Sequence, residues 1–219
     1  MQDTADTQPD APRSGIRPSN WSRHISGILL QVADLLEQAG EEAWELPSMH
    51  RGWSIREVAG LLVWRLGTSP QERVRAYSRT MLDTGSAAQL GLARAAAKGA
   101  LPPVLRDVAA SRASGRRRGS LPALTAAVIG ALDIATALGA TISISPVVSE
   151  AVARSRAMSA PVALRTVLRR NTLKAADAGW QVGRGPVISG DAAAILLVMF
   201  GRTALPTDSV SDSDAAPTP

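Results

Sequence analysis

Residues 52–66, GWSIREVAGLLVWRL, constrain the fold more than any other stretch of the chain. Ser54 and Glu57 stand at capping-box spacing, with Ser as N-cap and Glu at N3, so a helix begins here. Ile55, Val58, Ala59, Leu62 and Leu66 then form the apolar stripe of a core-facing helix. Leu61 and Trp64 carry apolar surface round to the other sides, and Arg65 is the one charge after the cap. A helix apolar nearly all round needs cover on most of its faces, and this one has no polar group pointing inward.

The rest of the chain reads mainly as further helices. Ile25, Ile28, Leu29, Val32, Leu35 and Leu36 recur at helical spacing and predict a first helix over about 21–43. Ser69–Pro70 gives a Ser cap with Pro at the first helical position, and helical spacing continues to about 98 with a break near Gly85. Pro102–Pro103 opens a short helix to about Ser111, followed by the basic loop RASGRRRGS. Pro122 starts the most buried-looking helix, which ends at Gly139 as a C-cap, and another spans 146–158. After Pro161 the segments VALRTVLRR and TLKAADAGWQV have a strand-like character. Gly183–Arg184–Gly185–Pro186 reads as a hairpin turn, and DAAAILLVMFGR as a terminal helix. The prediction is a mainly α chain: an up-down four-helix bundle over 20–158 with a small C-terminal α/β appendage over 159–203. The polar segments 1–19 and 204–219 read as disordered tails.

Composition excludes several chemistries. Hydrophobic residues make up 45% of the 219, enough for a core, but aromatics only 3%, so Ala, Leu and Val do most of the packing. There is no cysteine, hence no disulfide, thiol nucleophile or Cys-ligated zinc. His24 and His50 are the only histidines; both are expected at the surface, which leaves the chain poorly stocked for a zinc site and without triad geometry. No apolar h-region opens the sequence and no uncharged apolar run reaches the ~18 residues of a membrane span, so a cytoplasmic protein with no membrane partner is expected.

The net charge is +5, and the acidic tails hide part of the imbalance: between residues 21 and 203 it is +9. Such a body attracts anions. Arg112, Arg116, Arg117 and Arg118 form the densest basic cluster, read as a solvated loop, with an anion or phosphate contact as the alternative. Without interleaved aromatics it argues against nucleic acid as a partner.

Three segments carry a family resemblance. LPSMHRGWSIREVAGLL, TAAVIGALDIATALG and AADAGWQVGRGPVISGDAAAILLVMFGR resemble, in order, the three motifs of the mycothiol-dependent maleylpyruvate isomerase family, one of the DinB-like helical bundles. The resemblance implies a DinB-like bundle and a divalent metal held by a His of the first motif and a Glu and His four residues apart in the second. In this sequence those positions are Leu61, Ala126 and Gly130, and none has a donor atom in its side chain. Asp133 matches the family's Asp and is expected to hydrogen-bond to backbone or to an Arg. Trp53 and Trp180 match its tryptophans, as pocket walls or core. Arg202 matches its terminal Gly–Arg pair, as a carboxylate anchor or an exposed helix-end residue.

The resulting expectation is a degenerate, metal-free and non-catalytic family member that binds a small ligand or a protein. No cofactor is predicted, although the resemblance admits mycothiol. A mycothiol-dependent isomerase or S-transferase with an altered site is the alternative, and a basic nucleic-acid-associated protein a third reading. The apolar outer sides of the 54–66 helix leave room for a homodimer.

Overall fold

A computed structural model of the chain describes residues 20–69, 71–72, 74–75, 83–96, 100–115 and 118–204. Its elements are α1 (Ser22–Ala39), a short 3-10 helix (Glu41–Glu45), α2 (Ile55–Gly67), α3 (Thr84–Ala96), α4 (Leu101–Ala113), α5 (Leu121–Ala137), α6 (Pro146–Met158), α7 (Val162–Arg170), β1 (Thr172–Ala175), β2 (Gln181–Gly183), β3 (Val187–Gly190) and α8 (Ala192–Met199). The chain is mainly helical with a small three-stranded sheet near its C-terminal end. Residues 1–19 and 205–219 of the predicted tails, and Arg116 and Arg117, lie outside the described residues.

α1 packs on α4 and α5, and α2 packs on the same two helices, which closes a four-helix core. The capping box that starts α2 is present: the Glu57 amide donates to Ser54 Oγ at 3.3 Å, and the Ser54 amide to Glu57 Oε2 at 2.8 Å. Ser69 and Glu72 repeat the device. α5 is buried on nearly every side, from Leu124 through Ala127–Ala135.

The apolar outer side of α2 is covered by α3 of the same chain, where Leu61 packs with Ala87 and Ala88. It is therefore not an open face for a second copy. The two helices touch backbone to backbone: a Cβ placed on Gly91 would lie inside van der Waals contact with the Gly60 carbonyl. The break expected near Gly85 lies just ahead of it: Asp83 is non-helical, α3 begins at Thr84, and Asp83 caps that start by accepting from the Ser86 amide at 2.7 Å.

Three other expectations change. Residues 162–170 form helix α7, not a strand, because Leu164 and Leu168, one helical turn apart, are its only buried side chains. The glycine-rich segment 183–186 is not a hairpin turn. β1 lies between β2 and β3, antiparallel to the first and parallel to the second, so 183–186 crosses the start of β1. Gly183 and Gly185 have φ of 102° and 108°, and a Cβ on either would press on the carbonyls of Asn171 or Arg170. Arg112 is not in a solvated loop. It belongs to α4, is 5% exposed, and donates Nη2 and Nε to the Leu66 carbonyl at 2.8 and 3.3 Å, which closes the end of α2.

α8 returns the chain to the bundle by packing on α5 and α6, so one hydrophobic core runs from Ile25 to Met199. Among the described residues, no helix is long and apolar enough to cross a membrane.

Candidate functional site

A cleft of about 380 Å³ opens where α2, α5, α6 and the end of α8 meet. Its apolar side is Val58, Leu61, Leu62, Ala126, Ile129 and Gly130; its polar side includes His50, Asp133, Arg156 and Arg202, with Arg65 at the exposed rim. The volume lies at the small end of the range for small-molecule pockets. Leu61, Ala126 and Gly130, three positions from two separate motifs, thus stand on one wall.

The donor set on that wall does not suit a divalent ion. None of those three side chains has a donor atom, and among the described residues no three His, Cys, Asp or Glu converge. Gly130 faces hydrocarbon directly: a Cβ there would meet Leu62 Cδ2 at 2.7 Å. Asp133, the one carboxylate among the described lining residues, is already engaged. Arg202 donates its Nε to both oxygens, at 2.9 and 3.1 Å. The Asp133 side chain is 2% exposed and that of Arg202 19%. Burial pushes the Asp133 carboxyl above the usual carboxylate range, and Arg202 pulls it back.

Arg202 is therefore a partly buried residue of the cleft rather than an exposed helix end. The tryptophans stand elsewhere. Trp180 is in the core, its Nε1 donating to Ser149 Oγ at 2.8 Å. Trp53 lines a more open depression with Glu57, Asp83, Ser86 and Gln89.

Sequence reasoning missed two residues of the cleft. His50 was expected at the surface, yet it is half-buried in the cleft wall, with its ring centroid 4.7 Å from that of Trp53. The turn bearing it folds onto α5, where the Met49 amide faces the Asp133 carbonyl at 3.5 Å. Its Nδ1 is buried with no hydrogen-bond partner among the described residues. Burial first, then the charge of Arg202, holds its imidazole below the ordinary histidine value. His24 instead stands beside Trp21 on α1, outside the cleft.

Arg156 is the second. It reaches across from α6, donates Nε to the Met199 carbonyl at 3.0 Å, and lays its guanidinium over the Phe200 ring at 4.7 Å. The sequence signal for it is Phe200, an aromatic platform beside the terminal Gly201–Arg202 pair.

No model of a known protein family matches the chain, and no curated protein matches it. Two solved structures do. One is a mycothiol-dependent maleylpyruvate isomerase, 17% identical, over 83% of this chain and 87% of that one, with a TM-score of 0.39. The other is a histidine-to-alanine mutant described as the same enzyme, 15% identical over the same shares, with a TM-score of 0.34. The likeness is a distant one.

Proposed function

We propose that the chain is a metal-free, non-catalytic binder of a small anionic molecule, built on a DinB-like bundle whose ion-binding residues have been exchanged for hydrocarbon. The observation that carries this reading is the make-up of one cleft: Leu61, Ala126 and Gly130 line it together with His50, Arg156 and Arg202. A lone buried ligand group without its ion would be costly, so loss of one donor favours apolar replacement of the others. What remains is a cationic wall facing an apolar one, which suits a small molecule with an anionic head.

The test has two arms. Elemental analysis of the purified protein is expected to find no stoichiometric metal; about one tightly held zinc or nickel ion per chain would overturn the metal-free part. Incubation with mycothiol and maleylpyruvate is expected to give no turnover. Turnover that disappears in Arg202→Met would instead establish an altered but working enzyme.

A further inference from the structure

Arg156 and Arg202 are fixed in the same way. Each spends its Nε on the protein, Arg156 on the Met199 carbonyl and Arg202 on the Asp133 carboxylate. Among the described residues, no other hydrogen bond engages either guanidinium. Both residues line the cleft, and their terminal NH₂ groups carry no hydrogen bond to the protein among the described residues. Two guanidiniums anchored by their inner nitrogens are preorganised, and little side-chain entropy is lost when an anion arrives.

Charge sets the valence of that anion. Asp133 balances one of the two arginines, and burial keeps His50 neutral, which leaves one positive charge inside the cleft. Arg65 adds a third guanidinium at the rim, away from the two-arginine wall; its stem is partly buried and its charge still reaches His50. The two inner arginines also oppose each other: burial, then the charge of Arg202, holds Arg156 below the usual guanidinium range. A single oxyanion between them removes that repulsion. A second anionic group on the α2–α5 side would lie on Leu61, Leu62, Ala126 and Ile129, where desolvation has no compensation.

We propose that Arg156 and Arg202 form a two-arginine clamp for one carboxylate, and that the ligand is a monocarboxylate whose apolar body lies against α2 and α5. This rests on the binding-cleft reading above and adds its ligand class and the part of Arg156.

The experiment uses the full chain and three probes of equal length: octanoate, its neutral amide octanamide, and the dicarboxylate suberate. Affinities come from calorimetry, with tryptophan fluorescence as a second readout. Octanoate is expected to bind about tenfold or more tighter than either other probe, the worth of one charge-assisted hydrogen bond. Arg156→Gln is expected to weaken octanoate by about tenfold and leave octanamide unchanged, and Arg156→Lys to weaken it less. Circular dichroism checks that both variants fold; Arg156→Lys keeps the test alive if Arg156→Gln does not. If none of the three probes binds, the cleft reading itself falls. If octanoate binds but the folded Arg156 variants bind it unchanged, the cleft stands and the clamp falls. Suberate binding tighter than octanoate removes the single-charge assignment.

Discussion

Arg202 meets Asp133 through its Nε alone, 2.9 Å from one carboxylate oxygen and 3.1 Å from the other, and so joins two positions 69 residues apart. Removing one partner of a buried pair leaves the other charge uncompensated. Asp133→Ala is expected to lower unfolding free energy by about 2–4 kcal/mol, less than for a fully enclosed pair because Arg202 retains some solvent contact. Asp133→Asn keeps an acceptor and loses less. Urea denaturation measures both; a loss below about 0.5 kcal/mol for Asp133→Ala would mean that the pair holds nothing together.

Gly130 and Leu62 compete for the same volume. Gly130→Ala gains about 1 kcal/mol of helix propensity but overpacks against Leu62 by about 1–3 kcal/mol, so a net loss is expected. In a Leu62→Ala background the clash is gone, and the same change becomes neutral or stabilising. A double-mutant cycle reads this coupling; additivity of the two changes would refute the crowding.

Gly91 and Gly85 lie on one helix and predict opposite outcomes. A methyl group on Gly91 forces α3 away from the Gly60 carbonyl, and Gly91→Ala is expected to destabilise by about 3 kcal/mol. On Gly85 the new Cβ meets nothing closer than Asp83 Oδ1 at 3.5 Å. Gly85→Ala should then stabilise by about 0.5–1 kcal/mol through propensity. Thermal melts showing the same sign for both would contradict the close helix contact.

His50 makes stability depend on pH in a defined direction. Its folded pKa is lowered from 6.5, so below that value the unfolded chain binds a proton that the folded chain resists. Stability due to this group is fully present above about pH 6.5 and falls as the pH drops towards the folded pKa. His50→Gln removes the titration. The difference between urea midpoints at about pH 7.5 and 5.5 should shrink in that variant, and an unchanged difference would show that His50 is not desolvated.

Local signals in the chain were easy to read because their causes are local. The Ser54–Glu57 box and the Pro146 helix start involve neighbours within one turn, and both stand as expected. The motif positions Leu61, Ala126 and Gly130 also fall on one cleft, since helix periodicity fixes which residues share a face. What stayed hidden depends on contacts distant along the chain. His50 looked like a loop residue because its turn reaches Asp133 only in the folded protein. Arg112 looked like part of a basic run because its partner, the Leu66 carbonyl, belongs to another helix. α7 was misread because its Val, Thr and Arg residues mask a two-leucine stripe.

The pair that fastens Arg202 to α5 also has a mechanical meaning. It buckles the far end of the described chain to its middle, directly beside the place where a guest would sit. Loosening of that end is expected to open the cleft, and a guest held there to tighten the end. α8 is the helix whose amide hydrogen exchange should slow on ligand binding.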